Sequence, residues 1–229
     1  IAGRDKLYSV IAHDLRSPMG SIKMVLNMLM LNLPVEKIGG EMYELLTMAN
    51  RTTEDVFSLL DNLLKWTKSQ IGNLNVVYQD VDAVEVVDSV IDVFNMVAGL
   101  KKITIREEKP EKLPVCTDID MLKTIIRNLL SNAIKFSNEN SEVLVKMEEQ
   151  GDTVVVSVKD SGCGIDEEGQ KKLLHTDTHF STFGTNNEEG SGLGLLLCQD
   201  FAVKSGGKLW FTSKKGEGST FYFSIPLKK

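Results

Sequence analysis

Cysteine is scarce in this 229-residue chain: Cys116, Cys163 and Cys198 are the three, far apart and odd in number. No CxxC pair or Cys/His cluster has metal-ligand spacing, which argues against a zinc ribbon or a disulfide framework. Scattered thiols of this kind point to a reducing, cytosolic setting in which they serve as small buried side chains. No uninterrupted apolar run approaches the ~20 residues that a membrane-spanning helix needs, and no signal-peptide pattern opens the chain. The first residue is Ile, so the sequence reads as a piece excised from a larger protein, with membrane contact expected only through parts of that parent. Basic charge is not in surplus either. Lys and Arg number 26 against 32 Asp and Glu, and the net charge of -6 argues against binding to nucleic acid. What remains is ordinary globular composition, 42% hydrophobic and 25% charged, enough for a sizeable core and two domains.

The two halves have different periods. From Arg4 to about Leu33, apolar residues recur at Leu7, Ile11, Leu15, Met19, Ile22, Leu26 and Leu29, the steps of one helix face. Leu33-Pro34 and Gly39-Gly40 bracket a break. A second run sets Met42, Ala49, Val56 and Leu63 seven apart, with Leu45, Thr52, Leu59 and Trp66 also seven apart. Such heptads need a partner seam. A hairpin packed on itself satisfies part of it, and a dimer of four helices satisfies it better. Past Gly72-Asn73 the period shortens. Residues 75–78, 103–105, 143–147, 153–158, 208–212 and 220–225 read as strands, with helical patterns near 83–98, 118–135 and 193–204. That mixture predicts a layered α/β sheet covered on one face, with a long polar loop near 176–192.

The stretch SVIAHDLRSP, residues 9–18, interrupts the first helix. His13 lies about 200° from both Ile11 and Leu15 at 100° per residue, away from the apolar stripe. Asp14 can accept a proton from the imidazole or hold its tautomer, which makes a ring nitrogen a better nucleophile. Pro18 lacks an N–H and crowds the carbonyl of residue 14, an interruption that costs about 3 kcal/mol in an ordinary helix. A bend beside His13 is the expectation.

Three further segments carry chemistry. DIDMLKTIIRNLLSNAIKFS (118–137) puts Asn128, Asn132 and Lys135 on one side of a helix. Two carboxamides a turn apart can offer oxygens to a hard cation and a lysine below them can meet phosphate, although such a face can also be merely solvated. DSGCGI (160–165) follows a strand, so Asp160 can accept from an adenine amino group, or the segment is a simple turn. GSGLGL (190–195) opens a helical pattern, where backbone N–H groups suit phosphate. It lacks the Lys-Ser/Thr of a P-loop.

His13-Asp14-Leu15-Arg16-Ser17-Pro18 resembles the phospho-acceptor box of sensor histidine kinases, and the boxes that follow resemble their ATP-binding domain in the right order. The resemblance implies an all-α antiparallel helical hairpin over residues 1–72, a four-helix bundle as a dimer, for dimerisation and phosphotransfer. Residues 73–229 would form a two-layer α/β sandwich of the Bergerat type. ATP and Mg2+ are the implied cofactors, with Asn132 ligating magnesium and Asn128 orienting metal and phosphates. Asp160 would meet the adenine, with Gly162 and Gly164 allowing close approach; Gly190, Gly192 and Gly194 would line the phosphates. GEGST (216–220) resembles the last glycine box and sets Thr220 near the adenine; Phe180 and Phe183 fall in the nucleotide lid. The implied activity is autophosphorylation of His13 with Asp14 as base, then transfer to an aspartate of a response regulator, in the cytoplasm.

Two departures stand out. The lid has no Arg or Lys, leaving transition-state charge to magnesium, Lys135 or a partner residue. Ser17 stands where many relatives with phosphatase activity have Thr or Asn to orient a water. The loop at 33–40 sets whether a subunit phosphorylates itself or its mate. The competing readings are a non-catalytic ATP-sensing dimeric scaffold and an ATPase of the gyrase or chaperone kind, which would carry a glutamate where Asn128 stands.

Overall fold

The computed structural model describes residues 2–32, 39–70, 76–173, 185 and 193–227, with side chains of the first helix from Leu15 onward, Ser17 excepted. It divides into two compact units, residues 1–75 and 76–229.

The first unit is a pair of helices, α1 (Ala2–Asn32) and α2 (Gly40–Gln70). Arg16 pairs with Asp61, and the Lys23 ammonium lies 5.5 Å from the centre of the Phe57 ring. Rising numbers on α1 therefore meet falling numbers on α2, and the helices are antiparallel. Leu60 and Leu64 are buried between them, packed by Met19, Val56 and Leu63. The helix α1 runs through Pro18 without interruption, although Pro18 has no N–H to give the Asp14 carbonyl. Much of the apolar pattern stays open: Leu15, Ile22 and Met28 on α1, and Met42, Leu45 and Met48 on α2, are each at least 46% exposed. Two helices have only one mutual face, so a stripe wider than that face has nothing to bury against. Among the described residues, no helix is long and apolar enough to cross a membrane.

The second unit begins with β1 (Gln79–Asp82), then α3 (Ala83–Leu100), β2 (Thr104–Glu108), β3 (Pro114–Thr117), α4 (Ile119–Phe136), β4 (Glu142–Gln150) and β5 (Thr153–Lys159). A short α5 (Glu167–Lys172), α6 (Leu193–Lys204), β6 (Leu209–Lys214) and β7 (Gly218–Pro226) complete it. Five strands form a mixed sheet in the order β2-β4-β5-β7-β6, with β2 parallel to β4 and the other pairs antiparallel. The register sets Val145 beside Val158 and Phe221, and Met147 beside Val156 and Phe223. These residues are buried, whereas Lys146, Ser157 and Tyr222 on the alternate positions are half-exposed. Helix α4 lies over one face of the sheet with Leu122, Ile125, Ile126, Leu129 and Leu130 at most 1% exposed. Helix α4 packs between α3 and α6 in that layer.

Three sequence expectations need correction. The strand placed at 75–78 begins instead at Gln79, where β1 pairs with β3 as a separate two-stranded ribbon. Val77 and Tyr78 are exposed and held from outside a sheet: Val77 N–H donates to Asp118 Oδ2 at 2.9 Å, and the Tyr78 hydroxyl to the Lys204 carbonyl at 2.6 Å. The short β3 and α5 were not anticipated. Only Cys198 of the three free thiols is buried. Cys116 alternates outward between the buried Val115 and Thr117, and Cys163 sits on an exposed loop.

Candidate functional site

Helix α4 organises the site. Asp118 caps its start, accepting from the amides of Asp120 and Met121 at 2.9 and 3.0 Å. With one face committed to the core, the opposite side presents Asn128, Asn132 and Lys135, all half-buried. The Asn128 amide nitrogen donates to the Thr124 carbonyl at 2.9 Å, which directs Oδ1 towards α6. A Cβ on Gly194 would stand 2.6 Å from that oxygen, so the first turn of α6 lies against Asn128 because residue 194 has no side chain. One turn on, burial pushes the Cys198 thiol far above its usual range, opposed by a hydrogen bond with Asn128.

The last carbonyls of an α-helix have no partners of their own. At the end of α4 they are met from four directions. Ser137 N–H donates to Ala133 O at 3.0 Å. Lys101, at the end of α3, is 8% exposed and donates through Nζ to Ile134 O at 3.0 Å and Lys135 O at 2.9 Å. Thr185 N–H also reaches Lys135 O, at 3.2 Å, and Cys163 N–H reaches Phe136 O at 3.3 Å. A cation here also opposes the negative end of the helix dipole.

Asp160 follows β5 and is 4% exposed. Its Oδ1 accepts from Gly162 N–H at 2.9 Å and Ser219 N–H at 3.2 Å. Among the described residues Oδ2 accepts no hydrogen bond. Burial raises the carboxyl pKa above its ordinary value, and the Gly162 and Ser219 amides pull it back in part. Backbone crowds this loop closely. A Cβ on Gly162 would lie 2.0 Å from Phe136 O, and one on Gly218, at φ +96°, 2.1 Å from Asp160 O. Gly164, at φ +61°, meets the Lys214 carbonyl. Replacing Gly162 by Ala is expected to destabilise the domain by about 3 kcal/mol, read as a lowered denaturation midpoint in urea, because neither backbone can yield without moving α4.

The structure thus brings Asn128, Asn132, Lys135, Asp160, Gly162, Gly164 and Gly194 around one helix. Thr220 falls differently. It pairs with Lys159 and Thr212 and shares its side of β7 with Tyr222, which stacks on Trp210 on the sheet face opposite α4. Its neighbour Ser219 is buried on the covered side and carries the amide that reaches Asp160. Strand alternation explains this, since Phe221 and Phe223 point inward and residue 219 shares their parity. The side chains of His13, Asp14 and Ser17 lie outside the described residues, although their backbone is part of α1; Gly190, Gly192, Phe180 and Phe183 lie outside altogether. Sequence reasoning missed Ser219, Lys101 and Thr185. The inward parity of Phe221 marks the first; nothing local marks the other two.

Residues 117–229 match the family of histidine kinase-, DNA gyrase B-, and HSP90-like ATPases. The adaptive-response sensory kinase SasA of Crocosphaera subtropica is 29% identical over 229 residues, covering 98% of this chain and 59% of that protein. The sensor protein KdpD of Clostridium acetobutylicum is 34% identical over 97% of this chain and 25% of its own length. The chain therefore spans about three-fifths of its SasA relatives, or 59% in this case, and less of KdpD. Among solved structures, the catalytic domain of histidine kinase ThkA is 30% identical over 66% of this chain and 96% of its own, with a TM-score of 0.58. Full-length ShkA in complex with AMPPNP shares the fold over 98% of this chain and 46% of its own, at a TM-score of 0.74 and 21% identity. With a helix-mounted Asn-Asn-Lys face, a buried Asp after a strand and glycines where backbones touch, the chain belongs to the sensor histidine kinases and carries their ATP-binding catalytic domain.

Proposed function

We propose that this chain is the autophosphorylating core of a two-component sensor kinase, which transfers the γ-phosphoryl group of ATP to His13 and from there to an aspartate of a response regulator. The observation that carries the reading is the convergence on α4. Among the described residues Asp160 has a carboxylate oxygen that accepts no hydrogen bond, and Asn132 and Lys135 stand together on α4, in a chain whose α1 carries His13 and Asp14. The adenine amino group would donate to Asp160 Oδ2, with Ser219 beside it, while the phosphates lie along Asn128, Lys135 and the glycines 190, 192 and 194. AMPPNP in the related ShkA structure supports ATP as the ligand.

Asn132 suits magnesium, because a hard cation takes a carboxamide oxygen and completes its shell with phosphate oxygens and water. Bound there, the metal would neutralise charge on the β- and γ-phosphates. A ring nitrogen of His13 attacks the γ-phosphorus in line with the bond to the bridging oxygen. That P–O bond breaks, ADP leaves with its electron pair, and the ring proton passes to Asp14. In the second step an aspartate oxygen of the regulator displaces the histidine nitrogen from phosphorus. Residues 174–192 contain no Arg or Lys, which leaves the transferring charge to magnesium, Lys135 or a partner residue.

The exposed apolar stripes of α1 and α2 support a homodimer in which two hairpins make a four-helix bundle, and the SasA and KdpD relatives support a sensory role. Incubation with magnesium and γ-labelled ATP should give an acid-labile, alkali-stable protein label, absent with α-labelled ATP. No label from the γ-position defeats the proposal.

A further inference from the structure

Ser213, near the end of β6, pairs directly with Ser219 of β7. Antiparallel partners bring their side chains together on one face, and the two hydroxyl oxygens are 2.9 Å apart. Ser213 Oγ has two more partners. Ile165 N–H donates to it at 2.9 Å, and it donates to the Gly218 carbonyl at 3.0 Å. A serine hydroxyl has one proton to give and two lone pairs to receive with. The Gly218 carbonyl can only accept, so the Ser213 proton is committed there. Ile165 N–H fills one lone pair, and the Ser219 hydroxyl donates to the other. Gln170 of α5 holds the same two segments by their backbones, its amide nitrogen donating to the Ile165 carbonyl at 2.7 Å and the Ser213 carbonyl at 3.0 Å. Ser213 thus joins the loop after Asp160 to the start of β7.

The consequence falls on Ser219, which is 7% exposed and whose amide holds Asp160 Oδ1 at 3.2 Å. With its proton taken by Ser213, Ser219 Oγ has only a lone pair left to offer a ligand. The ionised Asp160 carboxylate is an acceptor as well. We infer that Ser213 sets the base preference of the nucleotide site: by taking the Ser219 proton it leaves acceptors alone beside Asp160, which fits a purine that carries an amino group at position 6. The inference rests on the nucleotide-site reading above and adds to it a residue that does not touch the nucleotide. Ser213 is a positioning residue. A base with no proton to give at that position leaves buried acceptors unpaired, and that is the source of the preference.

The test compares ATP with purine riboside triphosphate, which has hydrogen in place of the 6-amino group, by calorimetry on the full chain with magnesium. The parent should bind ATP about a hundredfold more tightly than the analogue. Ser213→Ala frees the Ser219 hydroxyl to turn and should cut that ratio about tenfold, with ATP weakened and the analogue unchanged. Ser213→Thr keeps a hydroxyl and should hold the parent ratio. Ser219→Ala preserves the bonds of Ser213 to Ile165 and Gly218; it should cut the ratio by the same factor, and it reads the effect even where Ser213→Ala does not fold. The double variant should fall no further than either single one, because both remove one acceptor. An unchanged ratio in Ser219→Ala or in folded Ser213→Ala, or equal losses for the two nucleotides, overturns the inference, since a merely structural role weakens both alike. A parent chain that binds neither nucleotide, or both equally, overturns the nucleotide-site reading instead.

Discussion

Glutamine at position 13 is expected to reduce acid-labile labelling from γ-labelled ATP to background. Its carboxamide nitrogen has its lone pair tied up in amide resonance, so it offers no nucleophile to phosphorus, although its size and polarity resemble those of the imidazole. Nucleotide affinity should stay within about twofold of the parent, because His13 belongs to the helical unit and Asp160 to the other, and effects at separate sites add. This split between binding and labelling distinguishes the kinase from its competitors. A gyrase-type or chaperone-type ATPase would hydrolyse ATP equally well without His13, and a scaffold would label neither protein. Label that persists in His13→Gln assigns the acceptor elsewhere.

Asp160→Asn should produce the opposite split: binding lost, fold kept. The Asn side chain can keep Oδ1 under the Gly162 and Ser219 amides, where two hydrogen bonds hold the present oxygen. That leaves an NH2 group at the position of Oδ2, facing the amino group of adenine donor to donor. ATP affinity should fall roughly a hundredfold, the cost of one lost charge-assisted bond and one unsatisfied donor. Stability runs the other way. Burial raises the Asp160 pKa above its unfolded value. Between those two values the folded chain holds a proton that the unfolded chain has released, so the contribution of Asp160 to stability falls as pH rises through that window. Above it the buried carboxylate is a net cost, which Asn removes. The unliganded variant should therefore melt no lower than the parent at neutral pH. In the parent, ATP affinity should decline as pH is lowered through the raised pKa, because the added proton occupies Oδ2. Tight ATP binding by Asp160→Asn removes Asp160 from the adenine site.

How much of this was legible beforehand differs between elements for physical reasons. The helix α4 and the strand β4 were readable because their buried positions recur with the period of a helix or a strand, and β5 and β7 because they are runs of β-branched and aromatic residues. The strand β1 was misplaced by a few residues because Val77 and Tyr78 look like strand residues but are pinned by single hydrogen bonds to Asp118 and Lys204. The short α5 is almost wholly polar, and six residues carry too little pattern to show a period. In the site, Asn128, Asp160 and Gly162 stand in compact boxes. Lys101 and Thr185 come from segments 84 residues apart, and only the fold makes them neighbours. The GEGST box sets Thr220 in order along the chain, whereas the face of a strand is set by parity, which turns Ser219 and not Thr220 to the buried side.

The crowding at the end of α4 limits how such a protein can change. The loop after Asp160, the end of α3 and the folding of the domain all draw on the carbonyls of residues 133–136. A variant that loosens this turn shifts the loop after Asp160 and lowers stability together, so selection cannot adjust one through it without moving the other. Side chains can drift more freely at Thr220 and beside Tyr222 on the opposite face of the sheet, where a change leaves those four carbonyls as they are.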